Sequence, residues 1–439
     1  MTRQVFVNAR IFTPADKGKP KAGQAQGELT HFSDGALLVE DGKIMAIGPK
    51  EAVLKNAEKF NDSVQKDLAG NDIVLVDCKN RCMIPGFVDP HTHMCFATKR
   101  EQEFAQRLEG TPYLEILQKG GGILSSVRSV ANASEEKLYT QTLKRVQTAL
   151  QWGTTTVEIK SGYGLDTKNE LKMLKVIGRI ADSTPLDVVG TFMGAHAVPE
   201  TYKKRPDDFI TLVIEEMLPA VKSQGIARFC DIFCEKGVFS IDQSRRLLIA
   251  AKAMGMGLKM HADEVHDMGA AGLAAELNAI SADHLLAAND KSIEALAHAG
   301  GVGTLLPATA YSLKKPYARA QVMIEKNLPV ALATDCNPGS SFTESMQFII
   351  GLAVMEMDMT PEQALTGATL NAAYAIGMAD KTGSLDIGKQ ADFLLLDGQT
   401  PAIIAYHAGV SSVDRVYKKG QLMGNYSEHF IFGPSGLSI

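Results

Sequence analysis

The feature that most restricts the fold is a series of eight short runs, each apolar or β-branched enough to form a strand. Segments with a helical period, such as 135–153 and 245–255, lie between them. Alternating strands and helices favour a parallel sheet, and eight such units predict a (β/α)8 TIM barrel of class α/β. A doubly wound open sheet is the alternative. The eight runs are IPGFVDPH (84–91), TTTVEIK (154–160), DVVGTFMGAH (187–196), RFCDIFCE (228–235), LKMHA (258–262), ISADHL (280–285), VGTLLP (302–307) and VALATD (330–335).

Chemically active side chains stand at the C-terminal ends of most of these runs. Because a (β/α)8 barrel carries its catalytic face at the carboxyl ends of the strands, this placement favours the barrel over the open sheet. We therefore predict that residues 85–384 form the barrel. The chemically active side chains at the predicted strand ends are His91, His93, Lys160, His196, Glu235, His261, His284 and Asp335.

Both ends of the chain have the pattern of β-hairpins. Residues 35–48 hold two apolar runs around Asp41-Gly42, a strong tight-turn signal. Residues 391–397 and 413–423 repeat the pattern. Neither hairpin is long enough to be stable alone, so we predict one small β-sandwich domain built from residues 1–84 together with 385–439. The polar stretch 15–33 is expected to be an exposed loop away from the barrel.

Composition narrows the class of function. The formal net charge is −5 and no long run of Lys and Arg occurs, which argues against nucleic acid or an anionic membrane as partner. The N-terminus lacks a secretory apolar segment, and no stretch of 18 apolar residues is present. The six cysteines form no CxxC pair, which is typical of reduced thiols. We therefore expect a cytoplasmic protein.

The pair His91 and His93 is the first indication of a metal site. Side chains two residues apart on a strand point to the same side, so both imidazoles can reach one ion. Alone, the pair is weak evidence, because two ordinary buried histidines would give the same pattern. His261 and Asp335 at later strand ends complete a set of three imidazoles and one carboxylate, which suits Zn²⁺ or Fe²⁺.

This set resembles the amidohydrolase superfamily, which has HxH after the first strand, a His on strands five and six, and an Asp on strand eight. Two-metal members carry a bridging carboxylated Lys at the end of strand four, where this chain has Glu235. Lys160 lies on the second strand, so a single metal is expected. Finer motifs along essentially the whole chain are similar to the imidazolonepropionase family: PHTHMCFATKREQEF (90–104), QKGGGI (118–123), IKSGYGL (159–165), FMGAHAVP (192–199), KMHADE (259–264) and TDCNPGSS (334–341).

The resemblance implies hydrolysis of 4-imidazolone-5-propanoate to N-formimidoyl-L-glutamate in histidine degradation, and a homodimer is expected. It implies one divalent metal, Zn or Fe, held by His91, His93, His261 and Asp335. Glu264 is the candidate to accept a proton from the attacking water, and His284 and Asp335 complete the catalytic group. The implied substrate-binding residues are Arg100, Tyr163, His196, Glu264, Asn337, Gly339 and Ser340.

Two alternatives stay open. A deaminase of guanine or cytosine type uses nearly the same metal set and also has a Glu after the strand-five His. Against it stand Arg100, Tyr163 and Asn337, which suit a small substrate bearing a carboxylate. The remote alternative is an inactive barrel that serves as a binding or scaffold protein. Such a chain would be expected to have lost metal ligands, and all four are present.

Overall fold

A computed structural model of the chain describes residues 3–62, 74–111 and 121–425. Residues 118–120 of the glycine-rich motif and 426–439 of the expected terminal domain lie outside the described residues. Two eight-stranded sheets organise the part that is described. The strands are β1 (Arg3–Thr13), β2 (Thr30–Glu40), β3 (Lys43–Pro49), β4 (Val74–Asp77), β5 (Cys82–Pro85), β6 (Phe87–Asp89), β7 (Thr154–Lys160), β8 (Asp187–Ala195), β9 (Ala227–Cys234), β10 (Gly257–Ala262), β11 (Ser281–His284), β12 (Val302–Leu305), β13 (Val330–Leu332), β14 (Phe393–Leu396), β15 (Val413–Lys418) and β16 (Gln421–Asn425).

Helices follow most of the barrel strands, and several begin at a capped residue. The side chains of Ser134, Asp166 and Ser240 each accept a backbone N–H of the first helical turn, which satisfies a donor that the helix leaves open. The helices are α1 (Lys50–Asp62), α2 (Glu101–Leu108), α3 (Ile123–Asn132), α4 (Glu135–Gln151), α5 (Thr167–Ser183), α6 (Pro206–Leu212), α7 (Leu218–Gln224), α8 (Ile241–Ala253), α9 (Ala270–Leu277), α10 (Asp290–His298), α11 (Pro307–Leu313), α12 (Ala320–Glu325), α13 (Met346–Glu356), α14 (Pro361–Gly367), α15 (Leu370–Ala375) and α16 (Ile403–Tyr406), with short 3₁₀ turns at Gly23–Gly27 and Glu200–Tyr202 and a π turn at Val213–Met217.

Strands β6 to β13 form a parallel sheet in chain order. The sheet closes on itself where the chain continues beyond β6 and β13. Thr92 forms a parallel bridge with Cys336, and the backbone N–H of Asp335 donates to the carbonyl of His91 at 3.0 Å. The barrel is therefore confirmed over the open sheet, and its closure places the first and eighth strand ends side by side.

The first of the eight runs is divided between the two sheets, which the sequence pattern did not indicate. Ile84 lies on β5, paired with Leu394 of β14 in the terminal sheet, whereas the barrel strand begins only at Phe87. Gly86 separates them. A side chain there would lie 2.4 Å from Oγ1 of Thr155, so the crossing between sheets requires glycine.

The second sheet is built from both termini, in the order β16-β15-β14-β5-β1-β2-β3, with β4 added to β1. Its two predicted hairpin turns are present: Asp41 and Gly42, like Lys419 and Gly420, have left-handed backbone, as a two-residue hairpin loop requires. Aromatic rings pack on one face, with Phe393 and Tyr417 stacked at 4.5 Å between centroids.

The stretch 15–33 is not the exposed loop that was expected. Gln26 is fully buried, and its side-chain amide exchanges two 3.0 Å hydrogen bonds with the backbone of Val330, at the start of β13. The N–H of Lys21 donates to the side chain of Asn371 at 2.8 Å. The segment therefore packs against the N-terminal end of the barrel, remote from the catalytic face.

Within the described ranges, no helix combines the length and the apolar character needed to cross a bilayer.

Candidate active site

A cavity of about 610 Å³ lies at the C-terminal ends of the barrel strands. His91 lies beneath it, fully buried, with its ring centroid 4.4 Å from that of His261. The structure therefore brings together, at this cavity or directly beneath it, the residues predicted to bind metal, to act in catalysis or to contact substrate. Those lining the cavity are His93, Arg100, Tyr163, His196, His261, Glu264, His284, Asp335, Asn337, Gly339 and Ser340.

Three imidazoles converge at the bottom of this cavity. Nε2 of His93 lies 3.2 Å from Nε2 of His261, and one ligand atom from each of His91, His93 and His261 can be chosen within 4.8 Å of the others. Oδ1 of Asp335 is 3.6 Å from Nε2 of His91 and 3.7 Å from Nε2 of His93. Nε2 of His91 is buried and has no hydrogen-bond partner among the residues that the structure describes. Three ring nitrogens and one carboxylate oxygen at these separations fit a single divalent ion such as Zn²⁺ or Fe²⁺.

The protonation states of these rings favour metal binding. Burial lowers the pKa values of His91 and His93 well below the ordinary histidine value, and for His91 the ammonium of Lys160 lowers it further. Both rings are therefore neutral near pH 7. Neutral imidazole is the form that ligates metals.

The strand ends that carry the site have strained backbone. His284 has φ 79° and Asp335 has φ 51°, and such left-handed conformations cost roughly 1–3 kcal/mol each for residues with side chains. Asp335 is held by its backbone bond to His91 and by Thr309, whose hydroxyl donates to Oδ2 at 2.6 Å. Oδ1 of Asp335 is thereby directed at the histidines.

Glu264 lies beside the imidazole group, with Oε2 3.7 Å from Nδ1 of His284. Burial, with a contribution from the carboxylate of Asp335, raises the pKa of Glu264 to about 7. A carboxyl group with a pKa near neutrality is suited to both accept and release a proton.

The loop that bears Glu264 is held by Glu235. Oε2 of Glu235 accepts the backbone N–H of Val265 at 2.9 Å, and Oε1 lies 2.8 Å from Nδ1 of His266. Glu235 occupies the end of the fourth barrel strand, and its carboxylate is engaged by this loop. Among the described residues, one group of His, Cys, Asp and Glu side chains is close enough to share an ion, and Glu235 is not part of it.

Arg100 lies inside the cavity mouth instead of on the solvated surface. Its Nε and Nη2 donate to Oε2 of Glu103 at 2.9 and 2.6 Å, and Glu103 also accepts the N–H of Gly122 at 3.1 Å. A Cβ on Gly339 would lie 2.5 Å from Nη1 of Arg100. Glycine at 339 therefore allows the guanidinium to lie against the loop after β13.

Asn337 organises the loop that follows β13. Oδ1 of Asn337 accepts the backbone N–H groups of Gly339 and Ser340, each at 2.8 Å, and its Nδ2 donates to the carbonyl of Asp335 at 2.7 Å. These donors are engaged within the loop, and the role of Asn337, Gly339 and Ser340 in substrate binding stays a prediction. Asn337 shapes the loop and ties it to Asp335.

Tyr163 and His196 form one wall of the cavity. The ring of His196 stacks on His93 with centroids 4.7 Å apart, and its Nδ1 lies 3.1 Å from the carbonyl of Gly162. Burial lowers the pKa of His196 to about 3, so its ring is neutral near pH 7. Tyr163 is buried 5.3 Å from His196 between ring centroids.

A set of charged residues beneath the histidines was missed from the sequence, apart from Lys160, which was noted only as a strand-end residue. All are fully buried, and two of the carboxylates reach metal-group histidines: Oδ2 of Asp283 is 2.7 Å from Nδ1 of His91, and Oδ2 of Asp231 is 3.0 Å from Nδ1 of His261. The sequence does contain a signal for these residues, because charged side chains alternate with apolar ones inside the predicted strands. We call this set the floor network; it comprises Glu158, Lys160, Asp231, Lys259 and Asp283.

Comparison with known proteins places the chain in context. The model of the amidohydrolase family matches residues 82–423. An imidazolonepropionase of Desulfotalea psychrophila is 67% identical over 96% of this chain and 99% of its own. One of Syntrophobacter fumaroxidans is 56% identical over 96% of this chain and 97% of its own.

Solved structures share the fold at much lower identity. Guanine deaminase of Escherichia coli superposes with a TM-score of 0.72 at 14% identity, covering 97% of this chain and all of that one. A 5-methylcytosine deaminase of Klebsiella pneumoniae gives 0.70 at 16% identity, over 98% and 99% of the two chains. At such identities the likeness concerns the fold alone.

Proposed function

This chain belongs to the amidohydrolase family, and from that membership we propose that it acts as an imidazolonepropionase. It hydrolyses 4-imidazolone-5-propanoate to N-formimidoyl-L-glutamate, a step of histidine degradation. The observation that carries the proposal is one cavity that is lined by Arg100, Glu264 and the candidate ligands His93, His261 and Asp335, with His91 directly beneath them. Relatives named imidazolonepropionase at 67% and 56% identity support it.

The reaction follows from this arrangement. When bound by His91, His93, His261 and Asp335, one Zn²⁺ or Fe²⁺ supplies a Lewis acid that makes water nucleophilic near neutral pH. Glu264 accepts a proton from the attacking water, whose oxygen bonds to the carbonyl carbon of the ring. The carbon–nitrogen bond breaks, and Glu264 delivers the proton to the leaving nitrogen. His284 lies where it can stabilise the negative charge that develops on the carbonyl oxygen.

The direct test is to add imidazolone propanoate to the purified protein and follow the loss of its ultraviolet absorbance. We expect turnover with one equivalent of metal per chain, because the described residues provide one ligand group. Two reproducible equivalents would contradict the single-metal site. Guanine and cytosine serve as control substrates: release of ammonia from either, without ring opening of the imidazolone, would favour the deaminase alternative.

We expect Arg100→Lys to weaken transition-state binding by about 1.5–3 kcal/mol, the usual range for a hydrogen bond to a charged group, and kcat/KM falls accordingly. Lysine keeps the charge, but it lacks the planar fork that holds a carboxylate through two bonds. Steady-state kinetics on the propanoate substrate measure the loss. Arg205→Lys, in an exposed ion pair with Asp208, is the control and should be neutral. Unchanged kcat/KM in Arg100→Ala would remove Arg100 from the substrate site.

We also propose that the protein is a cytoplasmic homodimer. The cytoplasmic location is supported by the six cysteines, which are all buried and unpaired, as is typical of a reducing compartment. Three exposed aromatic side chains, Tyr311, Phe342 and Phe348, line one cavity, which supports a self-contact because large exposed apolar patches are commonly interaction sites. Light scattering should give twice the chain mass. A monomer at micromolar concentration would contradict the dimer.

A further inference from the structure

The floor network is a set of charged side chains to which the proposed hydrolysis assigns no step. Its members come from strands β7, β9, β10 and β11, and their side chains meet inside the barrel below the metal group. Two ammonium groups, on Lys160 and Lys259, face the three carboxylates of Glu158, Asp231 and Asp283. All five are fully buried, and buried charge is costly unless it is paired and hydrogen-bonded. Their arrangement therefore needs a physical reason.

Two carboxylates of the network set the orientation of two histidines. Asp283 lies 2.7 Å from Nδ1 of His91. Asp231 lies 3.0 Å from Nδ1 of His261 and also accepts the backbone N–H of His261 at 3.1 Å. A carboxylate accepts hydrogen bonds, so the neutral ring of His91 carries its proton on Nδ1. Nε2 of His91 is then left with a lone pair for a metal, and the carboxylate of Asp231 beside Nδ1 of His261 favours the same orientation of that ring.

Lys160 contacts all three carboxylates of the floor network. Its Nζ lies 2.8 Å from Oδ2 of Asp231 and 2.8 Å from Oε2 of Glu158, and 3.7 Å from Oδ2 of Asp283. Lys259 is less directly engaged. Its closest contacts are the carbonyls of Pro90 and Ala375, at 3.1 and 3.3 Å, and its Nζ is 3.6 Å from Asp283 and 3.8 Å from Glu158.

We propose that Lys160 is a positioning residue of the metal site: it holds Asp231 beside His261 and, through its longer contact, Asp283 beside His91, so that both rings present Nε2 to one divalent ion. The proposal rests on the metal-dependent function proposed above. His93 provides an internal contrast, because its carboxylate contact is between Nε2 and Asp335 at 3.7 Å, not between Nδ1 and the floor network, and its ring stacks on His196. Two of the three imidazoles are thus oriented from below and one from the side.

The test is the metal affinity of Lys160→Met, measured as the Zn²⁺ dissociation constant in competition with a chromogenic chelator. Loss of a group that orients metal ligands typically weakens binding by about 10- to 100-fold, and that is the expected increase in Kd. With Co²⁺ as a spectroscopic probe, the visible absorption bands of the variant should also shift, since they report the ligand geometry directly.

Lys418→Met is the matched control. Lys418 is equally buried and also lies between two carboxylates, at 2.6 Å from Asp187 and 2.6 Å from Asp392, but at the opposite end of the barrel. It should lower the melting temperature of the metal-free protein as Lys160→Met does, yet leave the Zn²⁺ Kd and the Co²⁺ spectrum unchanged.

Equal loss of thermal stability in both variants, with Kd and spectrum unchanged in Lys160→Met, would overturn the proposal and leave Lys160 a purely structural residue. If Lys160→Met does not fold, Lys160→Gln is measured in the same way, because it keeps most of the volume but loses the positive charge that lies between Asp231 and Glu158. Parental Kd and spectrum in that variant would equally overturn the proposal. A parent protein that binds no divalent metal would instead refute the proposed function, and this inference with it.

Discussion

Glu264→Gln is expected to lower kcat by about 10²–10⁴, the usual range for the loss of a general base, while bound metal stays at the parental level. Glutamine keeps the size of the side chain and most of its hydrogen bonding, but it cannot accept the proton of the attacking water. The metal should stay, because the substitution leaves the four proposed ligands, His91, His93, His261 and Asp335, unchanged. Kcat and metal content measured on the same preparations test both parts.

The pH dependence of the parent gives an independent check. Burial raises the pKa of Glu264 to about 7, and a bound cation would lower it. The base form is needed for catalysis, so kcat should fall as the pH is lowered through this pKa. Glu264→Gln should lack that acidic limb.

Two results would contradict the role of Glu264. Near-parental kcat in Glu264→Gln would make it an ordinary polar residue at a strand end. Loss of metal together with activity would make it a ligand, and Asp335 would then be the better candidate for the base.

His261→Ala is expected to lose metal and activity together, with turnover reduced by roughly 10³-fold or more. Without the ion, water keeps a pKa of about 15.7 instead of about 7, and it is a poor nucleophile at neutral pH. The substitution removes a nitrogen that lies 3.2 Å from the corresponding nitrogen of His93. Elemental analysis and kinetics on one preparation measure both losses.

The control for this variant is His298→Ala. His298 is an exposed residue at the end of α10, and its Nδ1 contacts the carbonyl of Glu294 in the same helix. It should keep both metal and turnover. Full metal occupancy in His261→Ala would show that the ion is held without His261.

Local patterns in the sequence were sufficient for much of the fold. The runs that became β7 to β13 are recognisable because strands and helices differ in hydrophobic period and because turn chemistry is local. Asp41-Gly42 is an example, since both residues adopt the left-handed backbone that the turn needs. The placement of His91, His261 and Asp335 at strand ends likewise followed from chain order once a barrel was assumed.

Contacts between distant segments were not recognisable in this way. Gln26 in the polar stretch 15–33 looks solvated, yet it is buried against Val330, 304 residues further along the chain. Arg100 lies in a charged run of surface type, but Glu103 and Gly339 hold it at the cavity mouth. The side-chain N–H of Asn337 donates to the backbone carbonyl of Asp335 in its own loop. In each case the partner that decides the role lies outside the local pattern or depends on loop conformation.

The sequence by itself determined the strand and helix pattern of the barrel from β7 onward, the two terminal hairpins, and the three histidines able to bind a metal, because these depend on local period and residue chemistry. The tertiary structure alone decided which charges meet inside the barrel. Lys160 and Asp231 are neighbours only because β7, β8 and β9 pair in one particular register. Register and closure are set by packing over the whole barrel, so the pairing of buried charges cannot be inferred from any single strand.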